Sequence, residues 1–200
     1  MRSRDFLTEY DLPVKDRTGK PRLSIPLQSR QIHKILDLAD VVPSKKDPRF
    51  VTVKWKANAR SILAQKGVYI WMHPNFGIFY VGIATRDNLS QRWGSHLFKL
   101  LGRTPDWYVK AGFYTKQWRE FAQQFLATGV SQMDVNAVNK DLEKVRVAFY
   151  PIPSPENLTP EEYKKSLEEL EDNIVKMWNP RAQGKYDPNK KTITKNVSEE

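Results

Sequence analysis

Glu171 is the first residue whose position suggests chemistry, because it stands on the apolar side of an otherwise amphipathic segment. At about 100° per residue, Tyr163, Leu167, Leu170, Ile174, Met177 and Trp178 share an arc of roughly 100°, and Glu171 projects beside Leu167 and Trp178 at its edge. Glu161, Glu168, Glu169 and Asp172 can point to water. A carboxylate at the apolar edge is costly unless something pairs with it. It is either a functional group with a partner or a glutamate that bends to solvent or meets a core Arg or Lys. Arg92 and His96 form a second candidate: they lie one helical turn apart on a flank of another apolar stripe, where they can grip one anion together. Taken alone, such a pair is equally ordinary surface.

The elements that must position these residues are legible from spacing. Thr159-Pro160-Glu161-Glu162 is a capping box with proline at the first helical position, opening a helix that runs to about Trp178 and ends at Pro180. Asp87 or Asn88 caps the helix that carries Arg92 and His96; Leu89, Trp93, Leu97 and Leu100 form its stripe, and Gly102 closes it. Before it, residues 66–84 read as a hairpin: Gly-Val-Tyr-Ile-Trp-Met-His, a loop around Pro74, Asn75 and Gly77, then Ile-Phe-Tyr-Val-Gly-Ile-Ala. Residues 115–128 predict a helix with Trp118, Phe121, Ala122, Phe125 and Leu126 on one side, and 133–142 a further one. Val145 to Tyr150 alternates like a strand before Pro151 and Pro153. Upstream, Ser29, Ile32, Ile35, Leu36 and Ala39 predict a capped helix stopping at Pro43, and Val51, Val53 and Trp55 a half-buried strand with Lys54 and Lys56 on its open face. His33 and His73 receive no task; His73, beside Pro74, reads as a loop residue.

The chain has 200 residues, enough for one sizeable core with an arm or tail. Its 33 Lys and Arg against 23 Asp and Glu give +10, which favours a polyanionic partner, nucleic acid or anionic membrane. The surplus is N-terminal: residues 1–66 carry 15 basic and 7 acidic side chains, and 12–26, rich in Pro, Lys and Arg, read as an extended basic arm. No cysteine is present, which removes disulfides, thiolate zinc sites and a Cys nucleophile, and suits a reducing cytoplasm. No apolar run approaches the roughly 18 residues of a spanning helix, and the first residues lack a signal-like apolar stretch.

Gly67-Val68-Tyr69, ten residues, Tyr80-Val81-Gly82, nine residues, then Arg92-Trp93-x-x-His96 resembles the GIY-YIG nuclease family in order and spacing. Glu171 to Lys176, followed by Asn179-Pro180-Arg181, resembles the family's late helix with its catalytic glutamate. The likeness covers roughly residues 64–101 and 145–183. It implies an α/β (α+β) fold with a small three-stranded antiparallel sheet flanked by helices: a basic N-terminal extension over 1–60, the nuclease-like domain over 61–183 with a helical insertion at about 105–143, and a flexible basic tail over 184–200. It further implies that Glu171 anchors Mg²⁺ or Mn²⁺, that Arg92 clamps the scissile phosphate, and that Tyr69 and Tyr80 hold the attacking water. One of the two phenols then acts as general base, with Arg92 and the metal lowering its pKa, or His96 takes that role. Gly67 and Gly82 let backbone or substrate approach closely. Two departures stand out: Gln183 where the family often has Asn, and Ile83 and Ala84 where a polar or basic side chain is common.

The expected activity is therefore a Mg²⁺-dependent endonuclease acting on double-stranded DNA, of phage, mobile-element or restriction type, cytoplasmic, off the membrane, and with two copies able to assemble on DNA. Lys54, Lys56, Lys99 and Arg103 are the candidates for a DNA backbone groove. Trp107, Tyr108, Lys110, Tyr114 and Lys116 are either a reading surface or, for the aromatics, filling of the inserted layer. A noncatalytic nucleic-acid-binding protein on the same scaffold and an RNase are the rival readings.

Overall fold

The structure is a computed structural model that describes residues 14–15, 21–23, 31–47, 51–86, 89–102, 109–110, 112, 115–126, 142–156 and 158–183. Its elements are β1 (Val14–Lys15), β2 (Pro21–Leu23), β3 (Gln31–Lys34), α1 (Ile35–Leu38), β4 (Ala39–Pro43), β5 (Val51–Trp55), a 3-10 turn (Ala57–Ala59), α2 (Arg60–Leu63), β6 (Gly67–His73), β7 (Gly77–Ala84), α3 (Leu89–Leu100), α4 (Lys116–Leu126), β8 (Arg146–Pro151) and α5 (Pro160–Trp178).

The expected hairpin is β6 and β7, and both strands are buried along their whole length except at Tyr80. Strands this apolar need cover on both faces. Tyr69, Trp71 and Phe79 on one face pack with Trp93 and Leu97 of α3 and with Trp118, Phe121 and Phe125 of α4. Val68, Ile70, Val81 and Ile83 on the other pack with Leu167, Leu170, Ile174 and Trp178 of α5. Burial of each such side chain is worth about 1.5–3 kcal/mol, so the two layers hold the hairpin from both sides. Trp71 pairs with Tyr80, but the next pair is Met72 with Ile78, which leaves Phe79 as an extra residue. This bulge turns two consecutive aromatics, Phe79 and Tyr80, toward the α3 and α4 layer.

The sheet is antiparallel and has four strands in the order β3-β8-β6-β7, where three were expected. The fourth comes from the segment read as a helix from Ser29 to Pro43. Gln31 to Lys34 instead pair with Phe149 to Arg146, Ile35 N–H donates to Val145 O at 3.2 Å, and Ala39 to Pro43 pair with Trp55 to Val51 in a separate two-stranded sheet. Helical spacing survives only over the single turn of α1; inter-strand hydrogen bonds over long sequence separations outweigh it on both sides. Ser29 itself lies outside the described residues. Part of the basic arm also pairs, with Val14 opposite Leu23 and Lys15 opposite Pro21. The remainder of the arm, the capping candidates Asp87 and Asn88, nearly all of the predicted 133–142 helix and the tail from residue 184 lie outside the described residues.

Helix α5 begins as its sequence specifies: Thr159 accepts from the Glu162 N–H while the Glu162 carboxylate accepts from Thr159 N–H. It ends at Asn179, whose φ of 48° is the left-handed cap, and Pro180 forbids continuation. The chain then turns onto the outer edge of β7, where Ala182 N–H donates to Phe79 O at 2.8 Å. That return covers an otherwise open strand edge and brings residues from both faces of the sheet to one place.

Candidate active site

Tyr69 stands opposite Gly82 in the hairpin. A Cβ on Gly82 would lie 2.5 Å from Tyr69 Cζ and Oη, so the glycine is the floor on which the phenol rests rather than an opening for substrate. Gly67, at φ 150°, has no such role: a side chain there would strike the backbone of Tyr150 and Ile152, so it permits the close approach of the neighbouring strand. Tyr69 Oη and His96 Nε2 are 3.0 Å apart, both fully buried, and Arg92 hydrogen-bonds the same phenol. Which of Oη and Nε2 donates depends on the tautomer of the imidazole. The Tyr80 ring lies 4.4 Å from His96 and 6.3 Å from Tyr69.

Glu171 reaches this cluster from the other face, around the edge of β7. Gln183 links them: its Oε1 accepts the Val81 N–H at 3.3 Å, and its amide hydrogen-bonds the Glu171 carboxylate. Gln183 thus spans from the helix exit to the edge of β7. Burial pushes the Glu171 carboxyl up to about 7, Arg92 opposes the rise, and Asp172 and Glu168 add to it. One guanidinium therefore acts electrostatically on both Tyr69 and Glu171.

Residues 65–119 match the family model of the GIY-YIG catalytic domain. This segment is similar to a GIY-YIG catalytic domain. Neither the search of curated proteins nor that of solved structures finds a match. The matched span includes Tyr69, Tyr80, Arg92 and His96 and ends before Glu171 and Gln183, which the fold adds from α5 and its exit.

Electrostatics set the protonation states of these groups. Burial, first, and Tyr80 raise the Tyr69 pKa well above the ordinary phenol range, and Glu171 contributes in the same sense; Arg92 opposes without prevailing. Arg92 acts on this phenol in the expected direction, but burial outweighs it. Burial holds His96 well below its ordinary value, with Lys99 and Arg92 adding repulsion, so the imidazole is neutral. Lys99, expected on an open groove, is only 7% exposed; its ammonium sits 5.2 Å from the centre of the Trp118 ring, and burial with Arg92 brings its pKa down to about 8.

Trp118 of α4 stacks on His96 at 5.3 Å and 11° and also meets Tyr80 at 5.1 Å. Sequence reading had put Trp118 only in an apolar layer. The signal that would have found Lys99 is its place seven residues after Arg92 and three after His96, on the same helix stripe. The other candidates lie elsewhere. Lys54 is exposed opposite Asp40, and Lys56 donates to Leu36 O at 2.6 Å and pairs with Asp40 at 3.5 Å. Lys110 is exposed, and Lys116 pairs with Glu120 at 3.7 Å within α4. Arg103, Trp107, Tyr108 and Tyr114 lie outside the described residues. His73 is not a loop residue: it ends β6, buried among Phe76 and Phe125, with Nδ1 accepting the Asn75 N–H and its pKa lowered to about 4 by burial, Lys144 and Arg146.

Among the described residues no group of three His, Cys, Asp or Glu side chains gathers as a metal cage, and no helix is long and apolar enough to cross a membrane. Glu171 nevertheless fits a hard cation. It is a desolvated carboxylate whose ionisation the protein does not fully compensate, and Mg²⁺ is commonly held by one or two carboxylates, with phosphate oxygens and waters completing its shell.

Proposed function

We propose that this GIY-YIG domain is a divalent-metal-dependent endonuclease that hydrolyses phosphodiester bonds in double-stranded DNA, of the phage, mobile-element or restriction type, acting off the membrane and assembling as two copies on DNA where both strands are cut. The observation that carries this reading is the hydrogen-bonded Tyr69–His96 pair under the same Arg92 charge that acts on Glu171. The +10 net charge supports a polyanionic substrate.

Arg92 grips nonbridging oxygens of the scissile phosphate with its planar fork of donors and stabilises the charge that grows there. Glu171, oriented by Gln183, is the residue that would hold Mg²⁺ or Mn²⁺, which when bound supplies Lewis-acid stabilisation of the phosphoryl oxygens and an aligned water. Tyr69 Oη takes a proton from the attacking water as its own proton passes to neutral His96 Nε2. The water oxygen bonds to phosphorus, and the bond from phosphorus to the departing sugar oxygen breaks, that oxygen taking up a proton from solvent water. In this arrangement Tyr69 never needs to be a free phenolate, which its raised pKa disfavours. Tyr80, whose ring is partly exposed, lines the water's approach.

The test is incubation of the chain and its Glu171→Ala and Arg92→Ala variants with supercoiled plasmid and structured RNA, in Mg²⁺, in Mn²⁺ and in chelator. Nicking of plasmid by wild type that falls by about 10³-fold or more in each variant and stops in chelator supports the reading. Undiminished cutting by Glu171→Ala rejects it; cutting of RNA alone makes the enzyme an RNase, and salt-sensitive binding without cutting makes it a noncatalytic binder.

A further inference from the structure

The imidazole of His96 has an unusual support. Its Nε2 is engaged with Tyr69, but its buried Nδ1 has no hydrogen-bond partner. A histidine that exchanges protons is ordinarily oriented through that second nitrogen, by a carbonyl or a carboxylate. Here the ring is restrained by the single bond to Tyr69 and by packing. Four rings surround it: Tyr69 at 5.7 Å and 47°, Trp71 at 5.7 Å and 78°, Tyr80 at 4.4 Å and 52°, and Trp118 at 5.3 Å and 11°. Three of these are tilted or edge-on. Trp118 alone of the four lies face to face with the imidazole and so fixes its plane, while the hydrogen bond to Tyr69 fixes which way round it stands.

We propose that Trp118 is a positioning residue for His96, so that helix α4 supplies a working part of the catalytic cluster and not only cover for the sheet. The inference rests on the nuclease reading above. Trp118 is suited to hold a neighbour still because it is held itself: it is 2% exposed, its backbone N–H meets Thr115 Oγ1 at 3.4 Å, and Phe79 and Phe121 approach its ring edge-on at 6.2 Å and 6.5 Å. Lys99 adds an ammonium 5.2 Å from the centre of the same indole. Precision in an active site comes from such supporting side chains, and a displacement of about 1 Å at a proton acceptor can cost about 10²-fold in rate.

The experiment compares wild type with Trp118→Leu and Trp118→Phe in the full chain. Single-turnover cutting of plasmid is titrated with enzyme to separate the maximal rate from apparent affinity, and ¹H–¹³C spectra of the three histidines are assigned by substitution. Trp118→Leu is expected to lower the maximal rate by about 10²-fold with apparent affinity within about twofold, and Trp118→Phe, which keeps a ring on the imidazole, to recover at least tenfold of the loss. In the spectra the His96 ring protons, shifted upfield by the stacked indole in wild type, are expected to move downfield in Trp118→Leu and to stay shifted in Trp118→Phe. A folded Trp118→Leu with wild-type rate and unmoved His96 resonances overturns the proposal. So does an equal loss of rate, affinity and folding cooperativity in both variants, which is what a purely structural tryptophan predicts. Wild type that cuts no nucleic acid overturns the nuclease reading instead, while the His96 resonances still decide whether Trp118 fixes the ring.

Discussion

Gly82→Ala tests the geometry of the site with one added methyl group. The new Cβ would lie 2.5 Å from Tyr69 Cζ and Oη and 2.9 Å from Cε2, against the 3.5–4.0 Å or so at which carbon atoms rest comfortably. Either the phenol or strand β7 must retreat by about 1 Å. The phenol has nowhere to go: it is fully buried, with Trp93 edge-on at 5.9 Å, His96 at 5.7 Å and Tyr80 at 6.3 Å. Overpacking of this kind costs about 1–3 kcal/mol, and the same displacement breaks the 3.0 Å contact with His96, so cutting is expected to fall by about 10²-fold. The assay is a double-mutant cycle read by urea denaturation. Gly82→Ala in a Tyr69→Val background, where the ring is gone, is expected to cost under about 0.5 kcal/mol, giving a coupling of about 1–3 kcal/mol. In a Tyr69→Phe background, which keeps Cζ in place, it is expected to cost as much as in wild type. An unchanged cost in the Tyr69→Val background would refute the reasoning, because the damage would then come from the backbone or from another neighbour.

Two further outcomes follow from the protonation states. Burial holds the Glu171 carboxyl at about 7 against an ordinary 4.5, so its ionisation at high pH works against folding by about 3 kcal/mol at about 1.4 kcal/mol per pKa unit. Below pH 4.5 both states are protonated and Glu171→Gln is expected to match wild type; the unfolded chain ionises first as pH rises, so the variant's advantage grows to about 3 kcal/mol by pH 8, and Mg²⁺ narrows it by stabilising wild type alone. Urea denaturation at stepped pH measures this, and a gap independent of pH counts against it. Tyr69→Phe and His96→Ala are each expected to slow plasmid nicking by about 10²–10⁴-fold, and the double variant no further than the worse single one, since both belong to one proton path. Full additivity in single-turnover rates would separate their roles.

Much of this was legible where chemistry and periodicity agree. The capping box at Thr159, the stripe of α3 and the alternation of β6 and β7 each carry a local signal that the fold preserves. Glu171 stands out because a carboxylate on an apolar edge violates its surroundings, and burial does raise its pKa while Arg92 opposes the rise. What could not be read are the features set by distant partners. Gln31 to Lys34 carry helical spacing yet become an edge strand because β8 offers a complementary ladder more than a hundred residues away. The bulge at Phe79 depends on how two strands meet, and the stacking of Trp118 on His96 on how α4 settles over α3. Lys99 counts as a surface cation in any tally of charge, although the indole above it makes it part of the interior.

The edge of β7 explains why the site needs so little charge of its own. Most of the catalytic candidates come from the hairpin and α3, and these are buried enough that Tyr69 and His96 are both driven toward neutrality, the phenol upward and the imidazole downward. A neutral donor and a neutral acceptor 3.0 Å apart can pass a proton between them without either being charged beforehand, so the same desolvation that makes Tyr69 a poor free base makes the pair an effective relay. Glu171 of α5 packs on the opposite face of the sheet, and it acts electrostatically on Tyr69 while Arg92 and Gln183 act on it. Arg92 of α3 thus acts both on Tyr69 in the hairpin and on Glu171 of α5.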